Sequence, residues 1–207
     1  AVIGAGVMGE ALIAALITYG ISPSAITISE KRAERAAELA ANYKVANAPL
    51  SENVAKCDLI LLVVKPQDMA GVLEEIKADI RPGTLIISFV AGKQIRYIAD
   101  VIGTSANPVI RVMPNTPTLV GAGMSAISCC GLVTAEERKF TLGFLGAVGK
   151  VIEVDEDADR YLVSVRFTGV ISTGADEPEE SFDEIWHLTK SRQGNSGWVL
   201  AGIQQSS

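Results

Sequence analysis

Residues 1–20 read "AVIGAGVMGEALIAALITYG", and the three glycines Gly4, Gly6 and Gly9 decide how the rest is read. They follow a short apolar stub, Ala1, Val2 and Ile3, and lead into a run of helical character. A G-x-G-x-x-G spacing says little alone, because glycine-rich turns are common. Between a strand and a helix it becomes the phosphate-binding turn of a βαβ unit. There Gly4 permits a tight turn, Gly6 lets a pyrophosphate approach the backbone, and Gly9 lets helix and strand pack closely. Val7 and Met8 open the helix whose free N–H groups would face the phosphate. A buried strand usually has about five residues, so the opening strand is expected to begin upstream of Ala1.

The chain downstream supplies that setting. Ile26–Ser29 reads as a short strand, followed by a charged helix from about Lys31 to Tyr43. "CDLILLVVKP" (57–66) and "TLIISFVAG" (84–92) are nearly unbroken apolar runs, as expected of parallel strands covered on both faces. Gln67–Ile80, Ile95–Ile102 and Ala135–Leu145 read as helices. "NPVIRVMPNTP" (107–117), "GMSAISCC" (123–130) and "GKVIEVDE" (149–156) supply further strands. This βαβ rhythm predicts a doubly wound, mostly parallel Rossmann-type sheet over residues 1–156. From 157 to 207 the pattern changes to alternating apolar and polar residues between turn-rich stretches, which predicts a small antiparallel β meander.

At the end of the second expected strand stands Glu30, placed to accept from the ribose hydroxyls of NAD. Lys31 and Arg32 follow at once and could instead receive the 2′-phosphate of NADP. Both readings stay open, with two cations against one anion tilting towards NADP.

Bulk properties exclude several other classes. The formal net charge of −6 argues against nucleic acid as the main partner. No apolar run reaches the roughly 18 residues of a membrane span, and the opening residues are not expected to be a signal peptide. With three cysteines (Cys57, Cys129, Cys130) outside any C-x-x-C pattern and a single histidine, no metal site is expected, and the reading is a cytoplasmic, reduced protein. Cys129 and Cys130 should face opposite sides of one strand, with one in the core, and Cys57 should be equally inert. His187 reads as a surface or satisfied residue, and Glu177–Glu180 as a solvated turn.

Taken in order, "VIGAGVMGEAL", "VVKPQ", "SFVAG" and "RVMPNTP" resemble pyrroline-5-carboxylate reductase over residues 1 to about 156. The resemblance implies a small-molecule substrate, 1-pyrroline-5-carboxylate, reduced to L-proline by hydride from NADP(H), with NAD as the alternative. It further implies that Val64, Lys65 and Pro66 pass beside the cofactor, that Ala91 and Gly92 leave room for the nicotinamide, and that Asn115 is a polar group on the nicotinamide side. Lys65 could equally be a solvated strand-end lysine. No residue stands out as a general acid, which suits a reduction that depends on orientation and hydride proximity. Self-association into a homo-oligomer stays open.

In that family an all-helical domain follows the sheet and holds the substrate. Here "F…EIWHLTK…GWVLAGIQQ" resembles instead the closing strands of the membrane-anchor domain of the mitochondrial protein-import motor, with Trp186 and Trp198 as core aromatics. The chain therefore reads as a chimera of two partial domains. A rival reading makes it a catalytically silent NAD(P)-binding module joined to a β interaction segment.

Overall fold

The computed structural model describes residues 1–103, 106–114, 123–154, 160–171, 180–191 and 199–205. The chain forms two compact units, Ala1–Glu156 and Asp157–Ser207.

In the first unit, strands β1 (Val2–Ile3), β2 (Thr27–Ser29), β3 (Ala46–Asn47), β4 (Leu59–Leu62), β5 (Leu85–Ser88), β6 (Val109–Pro114), β7 (Gly123–Cys129) and β8 (Gly149–Glu153) make one sheet in the order β3-β2-β1-β4-β5-β6-β7-β8. The pairings from β3 across to β6 are parallel. At β6 the direction reverses: β6 and β7 are antiparallel, with Ile110 opposite Cys129, while β7 and β8 are parallel to each other. The sheet is thus mostly parallel, with its last two strands running against the other six.

Helices cover both faces because successive strand residues alternate sides. On one face Leu61, Ile87, Ile110 and Ile127 pack with side chains of α1 (Val7–Tyr19), α2 (Ala33–Tyr43) and α6 (Ala135–Gly146). On the other Ile60, Leu62, Ile86 and Val109 meet α3 (Leu50–Lys56), α4 (Met69–Ile76) and α5 (Ile95–Ile102). This two-sided burial explains the unbroken apolar runs of β4 and β5, whose described side chains are nearly all buried. The two adjacent cysteines divide in the same way, each half-buried: Cys129 packs against the first cluster and Cys130 against the second. Neither is a fully buried core residue.

Several boundaries are tighter than the sequence implies. The helix expected over 67–80 is regular only for Met69–Ile76, and β4 occupies four residues of its ten-residue apolar run. Strand β3 and helix α3 have no counterpart among the expected elements. Helix α6 starts on a capping box, in which the Thr134 hydroxyl accepts from the Glu137 N–H at 3.2 Å while Glu137 accepts from the Thr134 N–H at 2.8 Å.

The second unit is a three-stranded antiparallel sheet of β9 (Arg160–Ile171), β10 (Glu180–Ser191) and β11 (Val199–Gln205), with β10 central. Its β9–β10 pairing runs from Ser191 opposite Arg160 to Glu180 opposite Ile171 without interruption. The β10–β11 ladder shifts register between His187 and Leu188. Arg166 pairs with Asp183 through Nε, at 2.6 Å, and one terminal guanidinium nitrogen. Trp198 and residues 177–179 of the expected acidic turn lie outside the described residues, whereas Glu180, expected in that turn, is the first residue of β10. Among the described residues no helix is long and apolar enough to cross a membrane.

Candidate functional site

Because β1 lies between β2 and β4, and all three run the same way, their C-terminal ends open together. Connections leave in opposite directions at such a point, and a crevice forms outside the strand ends. Here it is a cleft of about 1140 Å³ whose walls include Gly6, Val7, Glu30, Arg32, Asn47 and Lys65.

The glycine turn forms its floor. Gly4 has φ +88°, a conformation that side chains rarely adopt, and a Cβ there would lie 2.8 Å from the Val63 carbonyl oxygen. A Cβ on Gly9 would collide with the Gly4 carbonyl oxygen, so α1 packs against the turn only with glycine there. Gly6 differs from both: a Cβ would meet no atom within 4 Å, because it would point into open space. Gly6 is also the N-cap of α1, and no side chain caps it. The first helical bond runs from the Glu10 N–H to the Gly6 carbonyl at 2.9 Å. The N–H groups before it have no acceptor within the helix, and at a helix N-terminus they favour an anion.

Charge is concentrated at the end of β2. The Glu30 carboxylate accepts from the Ala5 N–H at 3.2 Å and from the Arg32 N–H and Nε at 3.0 Å each. Burial pushes the Glu30 carboxyl upward, but the Arg32 hydrogen bonds, its charge and the Ala5 N–H outweigh this, and the net result lies below the usual carboxylate range. The Arg32 side chain stays 66% exposed, whereas that of Glu30 is only 8% exposed. Behind them Arg35 donates from Nε to the Ala5 carbonyl at 3.1 Å and pairs with Glu38 at 2.8 Å and with Glu10. Tyr43 donates to Glu10 at 3.0 Å. Asn47 accepts from the Glu30 N–H at 3.1 Å.

Of the residues singled out in the sequence, Gly4, Gly6, Val7, Glu30, Lys31, Arg32, Val64 and Lys65 all line this one cleft. Met8 packs against the core instead, and Gly9 is buried beneath the turn. Pro66, Ala91 and Gly92 are exposed but do not line the cleft. Asn115 lies outside the described residues. Sequence reasoning missed Glu10, Arg35 and Asn47. A charged residue in the first turn of α1 or α2 is ordinary by itself, and only the fold brings them to the turn. Among the described residues no group of three or more His, Cys, Asp or Glu side chains is placed to hold a metal ion.

Comparison with known proteins points the same way. The family described as "NADP oxidoreductase coenzyme F420-dependent" matches residues 1–92. A pyrroline-5-carboxylate reductase from Corynebacterium melassecola is 36% identical over 160 residues, which is 75% of this chain and 59% of the relative. Among solved structures, the pyrroline-5-carboxylate reductase of Coxiella burnetii superposes with a TM-score of 0.71 at 26% identity, covering 75% of this chain and 58% of that one. The chain is similar to pyrroline-5-carboxylate reductases in sequence and in fold. It spans about 59% of the length of the Corynebacterium reductase. The reductase of Plasmodium falciparum, solved with NADP bound, matches with a TM-score of 0.64 at 27% identity, covering 75% of this chain and 56% of that one.

Proposed function

We propose that residues 1–156 are the NADP(H)-binding domain of an oxidoreductase that reduces 1-pyrroline-5-carboxylate to L-proline. The observation that carries this reading is the open space above Gly6, where the free N–H groups of α1 meet a cleft rimmed by Lys31 and Arg32. A dinucleotide fits that donor set. Its pyrophosphate would lie on the Gly6 turn, and its 2′-phosphate would face Lys31 and Arg32, since the carboxylate of Glu30 is already engaged by Arg32 and Ala5. Val64 and Lys65 would flank the adenosine side from the end of β4. When bound, the reduced cofactor would supply a hydride to the C=N carbon, leaving it oxidised, while the imine nitrogen would take up a proton from water. The contribution of this domain is to orient the donor, which lowers a barrier without an acid or base of its own. The similarity to named pyrroline-5-carboxylate reductases supports the substrate.

For residues 157–207 the reading is a separate β segment, similar to the closing strands of the import-motor anchor domain. Its support is the quoted sequence pattern together with the three-strand meander. A cytoplasmic setting goes with the reductase reading, and all three cysteines are free thiols.

The test is a fluorescence titration with NADPH and NADH beside an assay of proline formation from pyrroline-5-carboxylate. Binding with turnover supports the reductase reading. Binding without turnover favours the silent binding module, and no binding of either cofactor removes the proposal.

A further inference from the structure

Ala5, between Gly4 and Gly6, is fully buried, and both of its backbone polar groups are held by side chains from beyond β2. Its N–H donates to Glu30 at 3.2 Å, and its C=O accepts from Arg35 Nε at 3.1 Å. Arg35 is itself fixed from two sides, by Glu38 on its own helix and by Glu10 on α1, and Glu10 also accepts from Tyr43. Beyond its own backbone bonds, the turn is thus held by side chains from outside it. A segment with three glycines in six positions has much conformational freedom to lose. Side chains reaching across from β2 and α2 remove it.

The carboxylate of Glu30 has no capacity left for another donor. An ionised carboxylate offers about four acceptor positions. Glu30 fills them with the Ala5 N–H, the Arg32 N–H and Nε, and a terminal Arg32 nitrogen at 3.3 Å. Its own N–H is bound by Asn47, and its side chain is 8% exposed. A group that reads ribose hydroxyls must turn free lone pairs to the ligand, and Glu30 turns them to the protein. We propose that Glu30 and Arg35 form a clamp on Ala5 that keeps the glycine turn in its phosphate-receiving shape, and that Glu30 is a positioning residue rather than the reader of the ribose hydroxyls.

This inference rests on the dinucleotide reading of the cleft, and two measurements separate them. The first is amide hydrogen exchange at Ala5 in the cofactor-free chain, for wild type, Glu30→Ala, Glu30→Gln and Arg35→Gln. The clamp requires faster exchange at Ala5 in Glu30→Ala, by about tenfold, with Glu30→Gln closer to wild type because its amide oxygen still accepts. Unchanged exchange in both Glu30→Ala and Arg35→Gln overturns the clamp. The second is the Kd of NADPH and NADH for the same proteins. A clamp acts on the pyrophosphate common to both cofactors, so Glu30→Ala weakens the two by the same factor, and Glu30→Gln restores most of the loss. Loss of NADH affinity with unchanged or improved NADPH affinity identifies a ribose reader and overturns the proposal. If wild type binds neither cofactor, the dinucleotide reading fails, and the exchange measurement still decides the clamp. Should Glu30→Ala not fold, Glu30→Gln and Arg35→Gln carry both measurements.

Discussion

The two units use β structure in opposite ways. In the first, the short central strands are buried on both sides by helices, and the polar chemistry sits where the strands stop. In the second, two strands of 12 residues pair along their whole length, and the turns between the strands lie outside the described residues. Short strands end early and leave backbone and side chains at a common edge, where a ligand can be held. Long paired strands spend their backbone groups on each other. Among the described residues the candidate cofactor cleft lies in the first unit, and the following measurements test that unit's packing, its cleft and its independence from the second.

The largest effect is expected from Gly9→Ala. The new Cβ collides with the Gly4 carbonyl oxygen, and backbone cannot yield as a flexible side chain would. The variant should lose about 3 kcal/mol of stability, despite the roughly 1 kcal/mol that alanine gains over glycine within a helix. Denaturant unfolding of the first unit, followed by helical circular dichroism, measures it. A variant as stable as wild type would mean that α1 does not pack on the turn as described.

Gly6→Val should separate binding from folding. Its side chain enters open space, so stability should fall by no more than about 1 kcal/mol, the cost of valine at the N-cap of α1. NADPH affinity should fall about a hundredfold, or about 2.7 kcal/mol. Equal affinity in variant and wild type would move the cofactor elsewhere.

Arg32→Ala should weaken NADPH about fivefold while leaving NADH nearly unchanged, since an exposed charge contact contributes only about 1 kcal/mol. Equal weakening of both cofactors would show that Arg32 does not read the 2′-phosphate.

Acid should act on the first unit through Glu10 and Glu30. Arg35 and Tyr43 hydrogen bonds hold the Glu10 carboxyl below its ordinary value; Glu30 is held low against the opposing effect of burial, mainly by Arg32. A lowered folded-state pKa contributes stability that is present above the unfolded value of about 4.3 and is lost as the pH falls through the folded one. Urea midpoints measured from pH 6 downward should drop below about pH 4.5, and Glu10→Gln should flatten that drop. A wild-type midpoint that is flat across this range would remove the contribution.

The smallest change is expected from cutting the chain after Glu156. Every described residue lining the cleft lies in the first unit, so the truncated protein should bind NADPH within about twofold of the full chain. A larger loss would give the second unit a part in the site.

What could be read in advance follows from how local each signal is. The glycine turn, the apolar runs of β4 and β5, and the helix Ile95–Ile102 carry their information within a few residues, and the fold has them where the patterns put them. The alternation behind β9 and β10 is equally local. The reversal at β7 is not: an apolar strand reads the same in either direction, and only its partners fix which way it runs. Helix α3 is seven residues long and begins after Pro49, too short for periodicity to distinguish it from a loop. In the cleft, Glu30, Lys31 and Arg32 were visible as a charged cluster at a strand end. Arg35 was not, because its contact with Ala5 spans 30 positions of sequence.

The reversal also decides how the first unit would respond to mechanical load. Since β8 runs against β1, the end of β8 at Glu153 lies at the edge of the sheet where β1 begins. Tension applied between Ala1 and Val154 therefore acts across the strands rather than along them. Such a force opens the β7–β8 ladder one hydrogen bond after another, starting at Glu153, in place of shearing all of its bonds together. The glycine turn and its cleft stand at the opposite edge. An optical-tweezers trace should thus show β8 peeling away at low force before the cofactor site gives.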